Sequence, residues 1–323
     1  MLKLTIRDIA ALSGVGKSTV SRVLNNDPGV KESTRQRVEA VITKYNYTPS
    51  QAARALNNKE IKSIGIIVGK LGSQPEANSL SQIIRYFEDV GYESVILESR
   101  RDRGVFERHV SFLKQKRVDG LMFFGFSGIT DIEFEETDFN GNIISIITNT
   151  PSVTSIALDT KKAVDLCFEH LILEPSIKNI GFIGVSEQDY FSGKARLEAY
   201  REKCLEHSIE PISITEMRSY ADGQSAFLEM AKKEVDAVIC GTERLAAGAM
   251  LEVLRSDSHI QIASVGLTDH IKLLGNYKCA TDLQYQEIGL RGAQCLFSLI
   301  NGETPERLTS VTPILFTNII TTK

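Results

Sequence analysis

The sequence predicts a small all-α head joined to an α/β core of two doubly wound parallel-sheet lobes. Three observations predict it. The first 45 or so residues carry their apolar side chains at helical spacing. From residue 63 onward, short apolar runs alternate with amphipathic stretches. The charge is also split: the 323 residues carry a net −4, yet residues 1–60 hold ten Lys/Arg against five Asp/Glu, which leaves −9 for the rest. A basic head on an acidic body suits a molecule that meets phosphates at one end only.

The head reads as two short helices and a third. Thr5 caps the first, with Asp8 three residues on as its capping-box partner. Ile6, Ile9 and Ala10 share one face. Gly14 sits where the chain must reverse, through a left-handed conformation that glycine tolerates. The second helix runs from about Lys17 to Leu24, with Val20, Val23 and Leu24 inward and Lys17, Ser18, Ser21 and Arg22 outward. Asn25-Asn-Asp-Pro28 stops it. A third helix, about residues 32–45, carries Val38, Val41, Ile42 and Tyr45, and Ser33 with Gln36 offers it a capping box. This is the layout of a helix-turn-helix that lays one helix in the DNA major groove. Gly16-Lys17-Ser18 also looks like the end of a phosphate-binding loop. That loop needs a glycine at position 11, which is alanine, and a preceding buried strand, which is lacking.

The segment Tyr47-Thr-Pro-Ser-Gln-Ala-Ala-Arg-Ala-Leu-Asn-Asn58 follows. Pro49 and Ser50 can open a helix, but seven or eight residues are too few for a lone helix in water. It should order only when something supports it.

In the core, strands are expected at 63–68, 93–98, 118–124, 143–147, 179–184, 235–240 and 261–265. Helices are expected at about 78–90, 105–116, 160–172, 192–206, 222–232, 243–255 and 285–301. The alternation implies parallel sheets covered on both faces, and the strand number implies two lobes. Ligands in such sheets sit beyond the carboxyl ends of the strands. That criterion selects Lys70 and Glu76 after the first strand, Gly125, Phe126, Ser127 and Gly128 after the third, and Thr148 and Asn149 after the fourth.

Other function classes lack their signatures. No apolar run approaches a membrane span, and the N-terminal stretch has no apolar signal segment, so a cytoplasmic protein is expected. The five cysteines (167, 204, 240, 279, 295) show no metal or disulfide spacing. The five histidines (109, 170, 207, 259, 270) fall in no catalytic motif. Neither an enzyme nor a metal or organic cofactor is expected.

Thr5, Asp8-Ile9-Ala10, Gly14-Val15, Thr19 to Asn25 and Thr34-Arg35-Gln36-Arg37-Val38 together resemble the lactose/galactose repressor (LacI/GalR) family, and the resemblance continues over nearly the whole chain. Within it, Gly14 to Asn26 and Phe123 to Thr130 look most like members that control trehalose operons and respond to trehalose 6-phosphate. The resemblance implies a head at 1–46, a hinge helix or linker at 47–61 and a periplasmic-binding-protein fold at 62–323. It puts lobe 1 at about 62–158 and 284–303, and lobe 2 at about 159–283 and 304–323. It also implies a homodimer whose paired hinge helices wedge Leu56 into the minor groove. Arg196 stands where the family grips sugar hydroxyls. Glu243 stands in place of an aspartate, and Thr268-Asp269 in place of Asp-Asp.

The expectation is therefore a transcriptional repressor of a sugar-utilisation operon. Lys17, Ser18 and Arg22 would reach base edges. Thr5, the Gly16 N–H, Thr19, Ser21 and Asn25 would hold phosphates, and Arg7, Arg54, Ala55 and Leu56 complete the double-stranded DNA contact set. Lys70, Glu76, Gly125, Phe126, Ser127, Gly128, Thr148, Arg196, Glu243 and Asp269 would hold the effector. Phe126 or Phe191 would supply an aromatic face, and Lys70 or Lys194 a cation for a phosphate. The effector is expected to release DNA. Corepression, or another sugar or sugar phosphate, is the alternative on the same scaffold. A transporter's solute-binding protein and a sugar-phosphate enzyme are the rivals from other classes.

Overall fold

The computed structural model describes residues 4–24, 27–45, 47, 62–135, 137–256 and 258–317. The chain divides into two compact units between Lys62 and Ser63. Of the expected hinge, 47–61, only Tyr47 is described; Asn25, Arg54, Ala55 and Leu56 lie outside the described residues.

The first unit holds helices α1 (Ile6–Ser13), α2 (Lys17–Leu24) and α3 (Glu32–Lys44). Thr5 precedes α1 in extended backbone, and its N–H and hydroxyl both donate to Asp8 Oδ2 at 2.7 Å. Those bonds hold the Asp8 carboxyl below its usual range. Gly14 closes α1 at φ 63°, in the left-handed region. The Gly16 carbonyl then accepts the Thr19 and Val20 N–H groups, which starts α2. Ile9, Ala10, Val20, Val23, Val38 and Tyr47 form the buried centre. Two expectations fail here. The Ser33–Gln36 capping box does not form: α3 starts at Glu32 behind Lys31, and Gln36 donates to Glu32 instead. Tyr45 is exposed, with the Lys44 ammonium 5.5 Å from its ring centroid, and Tyr47 fills the core place instead.

The second unit is built on two six-stranded sheets. The strands in chain order are β1 (Ser63–Val68), β2 (Glu93–Glu98), β3 (Gly120–Phe124), β4 (Ile143–Ile147), β5 (Thr154–Leu158), β6 (Ile180–Ile183), β7 (Ile212–Ile214), β8 (Ala237–Cys240), β9 (Gln261–Val265), β10 (Cys279–Asp282), β11 (Leu308–Val311) and β12 (Ile314–Thr317). The first sheet runs β11-β5-β4-β3-β1-β2, all parallel. The second runs β12-β10-β9-β8-β6-β7, parallel except that β12 lies antiparallel to β10. Both faces of each sheet are covered. In β1, Ile64, Ile66 and Val68 enter one apolar cluster and Ile67 enters the opposite one.

The covering helices are α4 (Gln74–Asp89), α5 (Arg103–Lys116), α6 (Thr160–Ile172), α7 (Ala195–Glu206), α8 (Tyr220–Met230), α9 (Glu243–Ser256), α10 (Asp269–Leu274) and α11 (Tyr285–Ile300). Helix α4 starts four residues earlier than expected, with Pro75 in its first turn. The chain leaves lobe 1 after Leu158 and returns at α11, which packs on α4 and β4. The last crossing corrects the expected boundary near 304. Strand β11 pairs with β5 in the first sheet, so the chain reaches the second lobe only between Val311 and Ile314. Among the described residues no helix is long and apolar enough to cross a membrane.

Candidate functional site

Two surfaces carry the expected residues. In the head, Thr5, Arg7, Gly16, Lys17, Ser18 and Arg22 are exposed, while Thr19 and Ser21 are half-buried. The short α2 is fixed by Val20 and Val23 in the core, which turns its polar residues outward. Arg22 does not simply reach into solvent. Its Nε donates to Asp27 Oδ2 at 2.7 Å and its Nη2 to Oδ1 at 3.3 Å.

The second surface is a cleft of about 640 Å³ between the two sheets, within the range of small-molecule sites. Its walls are the loops after β1, β3, β4, β6 and β8, at the carboxyl ends of the strands. Lys70, Glu76, Gly125, Phe126, Ser127, Gly128, Thr148, Arg196 and Glu243 all line it. Asp269 does not: it opens α10 behind Thr268, its side chain is 99% exposed, and it pairs with Lys272 at 3.7 Å. Lys194 is also outside the lining, 3.9 Å from Glu198, and so is Asn149.

Each lining residue has a distinct setting. Glu76 is buried in the first turn of α4. Its Oε2 accepts the Gly69 and Lys70 N–H groups at 2.7 and 2.9 Å, and its Oε1 accepts Arg101 Nη2 at 3.2 Å. This carboxylate therefore shapes the Lys70 loop and ties it to Arg101. Arg101 also reaches Asp189 Oδ2 of the other lobe at 3.5 Å. A second tie across the cleft is the Tyr190 N–H donating to Ser127 Oγ at 2.8 Å. Arg196 is buried; its Nε donates to Thr160 Oγ1 at 2.7 Å and its Nη1 to the Gly241 carbonyl at 2.6 Å. Tyr285 lies beside it, and burial pushes that phenol up to about 12. Thr148 Oγ1 is buried with no hydrogen-bond partner among the described residues, against Gly125, where any Cβ would collide with it. Phe126 packs partly into the core against Phe106, while Phe191 is half-buried on the opposite wall.

Sequence reasoning missed Arg101, Asp189, Arg218, Arg244 and Tyr285, all in the lining. Arg101 follows β2 and Arg218 follows β7, so the strand-end rule extended to those strands finds both. Arg101 sits in a left-handed turn (φ 58°) that no local pattern announces. With Lys70 and Arg196, the described residues of the lining hold five cations against Glu76, Asp189 and Glu243. Among the described residues no cluster of His, Cys, Asp or Glu could hold a metal ion. The cysteines are unpaired; Cys167, Cys204, Cys240 and Cys279 are buried and Cys295 half-buried.

Comparison with known proteins agrees with this architecture. Residues 5–50 match the family model of bacterial regulatory proteins, lacI family. Residues 62–311 match periplasmic binding proteins and the sugar binding domain of the LacI family. The chain is 34% identical over 307 residues to the HTH-type transcriptional regulator TreR of Salmonella typhimurium, covering 94% of this chain and 96% of that one. A solved structure of the trehalose repressor from Escherichia coli superposes with a TM-score of 0.74 at 25% identity, covering 80% of this chain and 100% of that one. The lac repressor dimer bound to operator and the anti-inducer ONPF shares the fold, with a TM-score of 0.78 at 20% identity over 97% of this chain and 98% of that one. A head with a capped helix-turn-helix and a core with a two-lobed cleft, matched along almost the whole length, establish that this chain belongs to the lacI family of bacterial regulatory proteins.

Proposed function

We propose that the chain is a cytoplasmic homodimeric repressor that leaves its operator when trehalose 6-phosphate occupies the cleft. The observation that carries the ligand class is the charge of the lining, five cations against three carboxylates among the described residues. Two of those carboxylates, Glu76 and Asp189, are already engaged by Arg101. The net positive field suits a phosphorylated sugar. Lys70, exposed at the rim, takes the phosphate as a point charge. Arg196 and the unpartnered Thr148 hydroxyl meet sugar hydroxyls, and Phe191 offers a ring face.

On the head, Lys17, Ser18 and Arg22 read base edges, while Thr5, the Gly16 N–H, Thr19 and Ser21 grip phosphates. Asn25 and the hinge residues Arg54, Ala55 and Leu56 complete the grip. The half-sites of a dimer's operator lie roughly 34–36 Å apart. Control is a population shift: the ligand favours one arrangement of the lobes, and that arrangement disfavours DNA. The relatives are regulators rather than enzymes, and this reading assigns the chain no turnover.

A thermal-melt panel of sugars and sugar phosphates tests the ligand, since a compound that binds only the folded form raises its midpoint. Trehalose 6-phosphate is expected to give the largest rise. No rise with it, beside a clear one with another compound, overturns the assignment.

A further inference from the structure

Arg22 and Asp27 form the most closely held charge pair among the described residues of the head. Both carboxylate oxygens are engaged by one edge of the guanidinium, at 2.7 and 3.3 Å. Asp27 is itself fixed. Its Oδ1 accepts the Gly29 N–H at 2.7 Å, its N–H donates to the Arg22 carbonyl at 3.0 Å, and its carbonyl accepts Arg35 Nη2 at 2.8 Å. Gly29 makes room for this: a Cβ there would lie 2.6 Å from Arg22 Nη2. The turn after α2 is therefore shaped around one arginine side chain.

We propose that Asp27 is a positioning residue for DNA reading, holding Arg22 by its Nε–Nη2 edge so that its Nη1–Nη2 end meets guanine in one geometry. The inference rests on the reading of the head as a DNA-binding unit. An exposed arginine has many rotamers, and ordering it on binding costs conformational entropy. A guanidinium already clamped to a fixed carboxylate has lost that freedom before DNA arrives. The clamp uses one pair of donors and leaves the remaining N–H groups for the O6 and N7 acceptors that distinguish guanine. The carboxylate also opposes phosphates, so it lowers general DNA affinity while sharpening discrimination. A purely structural aspartate would not produce effects of opposite sign.

The test selects duplexes from a randomised library with the full-length chain, then measures the best duplex, its single-base variants and an unrelated duplex. Arg22→Ala identifies the base pair that Arg22 reads, by a loss of roughly tenfold or more in preference there. Asp27→Asn is expected to cut the preference at that same pair at least about threefold and to strengthen binding to unrelated DNA. Gly29→Ala, which displaces Arg22 without changing charge, is expected to give the same loss without that rise. If Asp27→Asn and Gly29→Ala keep the parental preference at that pair, or weaken all duplexes equally, the positioning role is wrong and the DNA-binding reading stands. If the parental chain enriches no duplex, the reading of the head falls and takes this inference with it.

Discussion

Replacing Lys70 by glutamine separates a phosphate-binding cleft from one that holds a neutral sugar. Lys70 lines the cleft and is exposed, and its ammonium enters no ion pair among the described residues. A bound phosphate monoester carries about −1.5 to −2 charge at neutral pH. Two unit charges about 4 Å apart attract by about 1 kcal/mol in water and about 4 kcal/mol at an effective dielectric of about 20. An exposed lysine sits near the lower figure, so Lys70→Gln should cost about 1–1.5 kcal/mol, a roughly five- to thirteenfold loss of affinity. Arg101 has its charge offset by Glu76 and Asp189, so it makes a poorer substitute. Isothermal titration of the full chain with trehalose 6-phosphate and with trehalose, at low and moderate salt, reads the effect. Trehalose 6-phosphate should weaken by that factor and trehalose by less than about twofold, with a flatter salt dependence for the phosphate in the variant. Equal losses for both sugars, or none for either, would refute the assignment of the phosphate to Lys70.

Arg196→Lys cannot keep both the Thr160 and Gly241 bonds, so effector response should need more than about tenfold more ligand while operator affinity without ligand holds; a gel-shift titration with normal response contradicts this. Gly248→Ala puts a Cβ into the Tyr220 carbonyl, where α8 and α9 cross, and should cost about 1–3 kcal/mol. That corresponds to roughly 3–10 °C in Tm by calorimetry. Asp8 and Asp27 both ionise below the usual carboxylate range, Asp8 through its bonds to Thr5 and Asp27 through its bonds to Arg22 and Gly29. Depressed acids stabilise the fold above their unfolded pKa and stop doing so as pH falls through the folded one. The head's amide signals should therefore weaken below about pH 4 on NMR acid titration, and Asp8→Asn should flatten that dependence.

What the sequence made legible is what is encoded locally. The Thr5–Asp8 box, the left-handed Gly14 and the outward face of α2 all depend on residues a few positions apart. Buried strands such as β1 and β3 read clearly because nearly every residue is apolar. Strands β5, β7, β10, β11 and β12 escaped because they are short or mixed with polar residues; Leu308 and Ile314, for example, are exposed on their edge strands. The third crossing went astray for a related reason. Two four-residue strands separated by two residues enter different sheets, and only long-range pairing with β5 and β10 decides which. In the cleft, the strand-end rule selects Lys70, Gly125 and Thr148, which share one lining, whereas Asp269, selected by its position in a family pattern, opens α10 and faces solvent. Glu76 lines the cleft as expected but is held by backbone N–H groups and Arg101, contacts no spacing rule foresees.

In the proposed function, occupancy of the cleft and grip on DNA are one coupled equilibrium. Coupling between two binding sites is reciprocal, so operator DNA must change effector affinity by the factor with which effector changes DNA affinity. The most direct measurement is the dissociation constant of trehalose 6-phosphate for the full chain, alone and saturated with its selected duplex. Effector binding is expected to weaken on DNA, by the same factor found in the converse titration. An effector affinity unchanged by DNA, or raised by it, would contradict the proposed function.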